Sequence, residues 1–238
     1  MNPFQSFKNL TGFETGLWLS SVACVVISFF LGSRENILSF IASLIGVTAL
    51  VFVAKGDVMG QLLTVIFSVF YGAISYGFHY YGEMITYLCM TAPIALMAVV
   101  SWLRHPYEGK NTEVAVNCLK RSEIVFMFVL AAAVTFLFYY ILKAFQTSNL
   151  VFSTVSVTTS FLASYLTFRR SAFYALAYAA NDLILIALWI LASLEDVGYI
   201  SMVVCFVVFF VNDLYGFLNW SRMKVRQKKE KLRASFDR

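Results

Sequence analysis

Charge is the scarcest ingredient of this chain. Only 13% of its 238 residues are Asp, Glu, Lys or Arg, whereas a soluble domain carries about a quarter. With 60% hydrophobic and 17% aromatic residues, no soluble core of this length could hide the apolar surface. A mean hydropathy of +0.76 makes lipid the solvent for most of it. Histidine and proline are nearly missing, with two of one and three of the other, and His79 and His105 stand apart. The four cysteines, Cys24, Cys89, Cys118 and Cys205, form no C-x-x-C and no Cys/His cluster. That argues against a metal or disulfide framework and leaves thiols that pack as small hydrophobes. There is no phosphate-cradling Gly-rich loop, no paired-histidine motif and no nucleophile elbow. These gaps argue against an enzyme, a resident cofactor or metal, and ATP-driven transport within this chain. The amino terminus MNPFQSFKNLTGFETG has one lysine and no small-residue cleavage site after its apolar run. The first apolar segment is therefore read as a retained helix and not a removed signal peptide.

What is present is a succession of long apolar runs. A helix needs about 20 residues to cross the hydrocarbon, and eight segments qualify: 16–32, 36–54, 58–79, 83–103, 121–142, 149–167, 171–193 and 197–217. Gly, Ser, Asn or charged residues mark the connections, and the longest, RHPYEGKNTEVAVNCLKR, divides the chain almost into halves. Eight crossings put both termini on one face, together with the connections after the second, fourth and sixth segments. That face collects 16 of the 18 Lys and Arg residues, and the other receives only Arg34 and Lys143. By the positive-inside rule both termini are cytoplasmic. The tail SRMKVRQKKEKLRASFDR reads as a juxtamembrane anchor on anionic membrane lipid, with no nucleic-acid partner.

A weak internal repeat underlies the series. Sliding the chain by 113 residues places Ser43 on Ser156, Tyr76 on Trp189 and Glu83 on Asp196. An insertion of five residues then brings SWLRH onto NWSRM, pairing Trp102 with Trp220 and Arg104 with Arg222. The expected fold is an all-α polytopic membrane protein of eight transmembrane helices. Two parallel three-helix repeats are joined by a crossing helix, with one extra helix at the amino end. The divisions are 1–32 (amino-terminal tail and extra helix), 36–103 (first bundle), 104–148 (cytoplasmic connection and linking helix), 149–217 (second bundle) and 218–238 (basic cytoplasmic tail). Chance similarity between apolar stretches is the competing reading. Parallel repeats of this kind occur in transporters that rock two bundles around a midplane site.

Polar residues inside such segments are where chemistry is sought. YALAYAANDLILIALWI carries Asn181 and Asp182 at its centre, where a charged carboxylate costs about 2.5–3.5 kcal/mol on insertion scales. Asn212 and Asp213 repeat the dipeptide in the eighth segment. Together they offer donors and acceptors suited to sugar hydroxyls or an amide. The plain alternative is interhelical glue without a ligand. A carboxylic acid kept protonated by burial is a third option, which the sequence leaves open. Gln61, Phe67, Tyr71 and Tyr76 in the third segment, with Tyr178 and Trp189 in the seventh, are spaced so that several share a face. Rings of this kind either wall a cavity for a flat heterocycle, with their π faces attracting a cation, or simply pack. Tyr80, Tyr81 and Tyr199 fall where an interfacial belt is expected. Pro93 should kink the fourth segment, as a gating hinge or as a fixed bend.

VNDLYGFLNWSRM closing the last segment, RRSAFYALAYAANDLILIALW before it and YYGEMITYLCMTAPIALMAVVSWLRHP in the first half resemble the PnuC family of nicotinamide riboside transporters, often labelled nicotinamide mononucleotide transporters. The resemblance covers nearly the whole chain, and Asn212, Asp213, Tyr215, Gly216 and Trp220 carry its most specific part. It implies facilitated diffusion of a vitamin riboside by a uniporter in the bacterial plasma (inner) membrane, without an ion motive force. A cytoplasmic kinase would then trap the substrate by phosphorylation. It also suggests a homotrimer. The substrate-binding set is then Asn181, Asp182, Tyr178, Trp189, Gln61, Phe67, Tyr71, Asn212, Asp213 and Tyr215, with Pro93, Tyr76 and Trp220 in gating. Many members carry Trp-x-x-Trp ahead of the acidic residue of the seventh helix. Here the stretch reads ALAYAAND, and Tyr178 is the one aromatic left there. Relatives with this fold carry thiamine or deoxynucleosides, which remain alternatives. So do a proton-coupled carrier using Asp182 and a membrane subunit or receptor that moves nothing.

Overall fold

The computed structural model describes residues 3–31, 37–77, 80–147, 149–195 and 200–236. Arg34, His79, Asp196 and Tyr199, invoked above, lie outside them. A short helix α1 (Pro3–Lys8) leads into α2 (Gly12–Leu31), α3 (Ile37–Lys55) and α4 (Val58–Gly77). Then come α5 (Tyr81–Ile85) and α6 (Ala92–Leu103), joined without interruption by a π-helical turn, Thr86–Thr91. A β-hairpin, β1 (Pro106–Tyr107) and β2 (Lys110–Val114), precedes α7 (Arg121–Ala144), α8 (Leu150–Phe168), α9 (Tyr174–Glu195) and α10 (Ile200–Phe236). Among the described residues eight helical spans are long and apolar enough to cross a membrane, and all but the far end of the last coincide with the eight expected segments to within a few residues. The expected all-α membrane fold is the one observed.

Two departures have plain causes. The hairpin falls in the long polar connection, to which the sequence assigned no element; its strands are too short and mixed in pattern to announce themselves. The basic tail is no separate appendage, because α10 runs on to Phe236 for 37 residues in all. Its sequence past Trp220 is mostly Lys, Arg, Glu, Gln, Leu and Met, all strong helix formers.

Helix starts and turns follow local chemistry. Thr11 and Glu14 form a reciprocal capping box on α2: the Thr11 amide donates to Glu14 Oε2 at 2.7 Å and the Glu14 amide to Thr11 Oγ1 at 3.2 Å. Gly56 turns the chain between α3 and α4 at a φ of +80°, a conformation that β-carbons disfavour. The π-helical turn precedes Pro93, whose ring cannot sit against an ordinary α-turn. The Ala92 amide donates to the Tyr87 carbonyl, five residues back. The widened turn absorbs the proline within a continuous helix.

The connections expected on the basic face do meet there. The Val114 amide donates to the Gly56 carbonyl at 3.0 Å and the Asn117 amide to the Arg170 carbonyl at 2.9 Å. Gln227 on α10 receives the Val116 amide at 2.8 Å and donates to the Val114 carbonyl at 3.1 Å, and Arg226 pairs with Glu113. Just inside this face the indole of Trp102 (α6) donates to the Thr167 carbonyl of α8 at 3.0 Å, and that of Trp220 (α10) to the Val53 carbonyl of α3 at 2.9 Å. The two rings lie 5.4 Å apart. Each indole thus closes on the helix end of the other half. On the periphery α7 exposes Val125, Phe126, Phe128, Val129 and Phe136, an apolar strip suited to lipid.

Candidate functional site

The interior between the halves is where buried polar side chains gather. A cavity of about 50 Å³ is lined by Gln61, Thr64 and Phe67 of α4, Tyr87 and Thr91 of the π-helical turn, Tyr178, Asn181 and Asp182 of α9, and Phe209 and Asp213 of α10, with α3 as its floor. At roughly 10–15 Å³ per water on such a measure, it holds a few waters and no ring-sized ligand. A larger ligand requires the helices to part. The floor depends on Gly46: a β-carbon there would stand 2.4 Å from the ring of Phe209. Only glycine lets α3 and α10 approach so closely beside the cavity.

Asn181 is held by a belt of hydroxyls from α8. Ser156 and Ser160 donate to its Oδ1 at 3.2 and 3.0 Å, and the Thr159 hydroxyl, 2.9 Å from the same oxygen, shares its one hydrogen between it and the Val155 and Ser156 carbonyls. The SxxTS spacing supplies them, since residues three and four apart share a helix face. With the carbonyl so engaged, the amide NH₂ is the group left for a ligand. Asp182 is only 3% exposed, and its carboxyl is hydrogen-bonded to that of Asp213. Asp182 Oδ2 has no hydrogen-bond partner and is free to accept from a ligand. No Lys, Arg or His is among the cavity-lining residues. The site therefore combines acidic and amide groups with aromatic faces, a setting for a cation or a polyhydroxylated molecule and not for an anion.

Of the residues singled out from sequence, Gln61, Phe67, Tyr178, Asn181, Asp182 and Asp213 come together here. Tyr71 and Trp189 form a layer beside it: both are fully buried, and the Trp189 indole donates to the Tyr71 hydroxyl at 3.1 Å. Asn212 turns away, donating to Ser21 Oγ of α2 at 2.9 Å and the Val208 carbonyl at 2.8 Å. Tyr215 also faces α2, donating to Glu14 Oε1 at 3.2 Å. Trp220 lies toward the basic face, Pro93 just past the π-helical turn, and Tyr76 is 62% exposed. Sequence reasoning passed over Thr64, Tyr87, Thr91 and Phe209. The nearest signal for Tyr87 and Thr91 was Pro93 itself, since the widened turn that accommodates it carries both.

Comparison with known proteins settles the kinship. The sequence model of the family described as "Nicotinamide mononucleotide transporter" matches residues 36–222, from α3 through the Trp220 segment. This chain belongs to that family. It is a family of membrane transporters and not of enzymes. The chain is similar to the "Nicotinamide riboside transporter PnuC" of Neisseria mucosa, 26% identical over 225 residues that span 92% of this chain and 85% of the relative. It is also similar to the protein of the same name from Haemophilus influenzae, 23% identical over 211 residues, 88% of this chain and 90% of the relative. Its fold matches that in the "Crystal structure of the Vitamin B3 transporter PnuC" with a TM-score of 0.81 at 23% identity, covering 92% of this chain and 94% of that one. The extra helix α2 lies ahead of the matched family region, and Ser21 and Glu14 on it hold Asn212 and Tyr215.

Proposed function

We propose that this family member imports nicotinamide riboside as a uniporter, with a cytoplasmic kinase trapping the substrate by phosphorylation. The observation that carries the reading is the lining of the central cavity. Asn181, Asp182, Asp213 and Gln61 stand beside Phe67, Tyr87, Tyr178 and Phe209, with no basic residue among them. Nicotinamide riboside is a flat cationic ring on a ribose. The rings supply faces for it, and the amides and carboxyls supply partners for hydroxyls and charge. A mononucleotide would bring its phosphate against two carboxyls with no cation to meet it, which favours the riboside. The relatives' names agree.

On this reading the two halves are parallel repeats that rock about the cavity, and the reciprocal bonds of Trp102 and Trp220 close the cytoplasmic end. The gathering of basic residues on the Trp side supports cytoplasmic termini and a plasma (inner) membrane location. A homotrimer is proposed on family resemblance alone. Thermal stabilisation of the purified protein by nicotinamide riboside, its mononucleotide, thiamine, thymidine and nicotinamide tests the substrate. The riboside should raise Tm, by several degrees at saturating ligand, and the mononucleotide should not. Stabilisation by thiamine or thymidine instead would reassign the substrate within the same architecture.

One observation favours a second reading, proton coupling: two buried carboxyls, Asp182 and Asp213, line the same cavity. In vesicles containing this protein and no kinase, an uncoupler should leave riboside equilibration unchanged for a uniporter. Collapse of accumulation would establish coupling.

A further inference from the structure

Glu83 is a buried acid that the central cavity does not use. It lies in the first turn of α5, at the end of the bundle away from the Trp102–Trp220 closure, and it is 1% exposed. Among the described residues neither carboxyl oxygen has a hydrogen-bond partner, and no ion pair includes it. The other buried acids each have a partner: Glu14 meets Lys55, Asp57 accepts the Met59 amide, and Asp182 and Asp213 hold each other. An ionisable group kept inside a membrane bundle at such cost, without a structural partner, points to a ligand.

Its surroundings fit a cation. Tyr71 and Tyr87 lie within electrostatic range of the carboxyl. Their rings are 4.3 Å apart, and Tyr80 meets Trp189 edge to face at 5.1 Å beside them. Aromatic faces next to a carboxylate are a setting for a desolvated organic cation. Glu83 also connects to the central site. The Ser156 hydroxyl stands beside it, yet gives its single hydrogen to Asn181 Oδ1. Because Thr159 and Ser160 also serve that oxygen, Ser156 can turn to Glu83 without leaving Asn181 unsatisfied.

We propose that Glu83, walled by Tyr71, Tyr80, Tyr87 and Trp189, is a second cation-binding station on the outer half of the route. It takes a flat organic monocation on its way to Asn181 and Asp182. The proposal rests on the central cavity being the riboside site. Two measurements on the full chain test it: initial uptake of nicotinamide riboside into cells at low concentration, and equilibrium binding of the same compound to purified protein. Electrostatic attraction along a route typically changes rates by tenfold or more and weakens with salt. Glu83→Gln should lower initial uptake about tenfold, flatten its dependence on ionic strength and change equilibrium affinity less than twofold. Glu83→Asp, which keeps the charge, should restore most of the rate. Uptake by Glu83→Gln equal to wild type would overturn the station, as would parallel losses of affinity and Tm in both variants. Wild-type protein that binds no riboside would overturn the central site and the station with it. Riboside binding with normal Glu83→Gln uptake would overturn the station alone.

Discussion

Exchanging Asp182 for alanine should weaken nicotinamide riboside binding about ten- to a hundredfold while the helices keep their arrangement. That range corresponds to roughly 1–3 kcal/mol for the removal of one good hydrogen-bonding partner. The fold should survive because the Asp182 carboxyl bonds only to Asp213 and leaves its second oxygen unused. Asp182→Asn separates charge from hydrogen bonding. It keeps shape and polar reach but loses the negative charge, and for a cationic ring it should bind nearly as weakly as the alanine variant. Asn181→Ala should match the fall in affinity at a greater cost in stability, since the Ser156 and Ser160 hydroxyls of α8 lose their acceptor. Isothermal titration with the riboside, beside Tm in detergent, separates the two effects. Wild-type affinity in both Asp182→Ala and Asn181→Ala would remove these residues from the site.

The largest effect on stability should come from Lys55→Ala, at about 3 kcal/mol, the lower end for removing one partner of a buried ion pair. Lys55 Nζ lies 3.2 Å from Glu14 Oε2, and the two side chains are 15% and 4% exposed. Lys55 also donates to the Asn9 carbonyl, so one ammonium ties the stretch before α2, the capping box and the end of α3 together. The lower end applies because Glu14 would keep the Thr11 amide and the Tyr215 hydroxyl as donors. Adding Glu14→Gln to Lys55→Ala should recover most of the stability, because the double variant buries no lone charge. A double-mutant cycle on Tm checks this. A change below about 0.5 kcal/mol in the single variant would show the pair to be a surface interaction of the usual small worth.

The course of the helices was legible because lipid leaves the backbone no alternative. Every amide in the hydrocarbon must bond within its own helix, so run length alone locates the spans, and the basic residues sort their ends. Asp182 was legible for the same reason, as a carboxylate far from any interface. What the sequence withheld was rotation. Asn212 and Asp213 are neighbours, but about 100° apart around α10 at 3.6 residues per turn. One therefore reaches the cavity and the other reaches Ser21 of α2. No pattern in an all-apolar helix says which face is inner, and the same ambiguity hid Tyr87, Thr91 and Phe209. The bond between Asp182 and Asp213 joins residues 31 positions apart in the chain, and it exists only because α9 and α10 cross at that depth.

Because α10 is one unbroken helix from the cavity to the tail, it works as a lever. From Asp213 to Phe236 at 1.5 Å per residue is about 35 Å, so a tilt of about 10° at the site swings the tip by roughly 6 Å. Arg226 and Gln227 clamp the hairpin to this arm through Glu113 and Val114, and Val114 in turn holds the α3–α4 turn at Gly56. Movement at the carboxyl pair is thereby geared to the basic face of both halves. A fluorescent pair spanning the tail and that surface would read the substrate cycle without any label in the membrane.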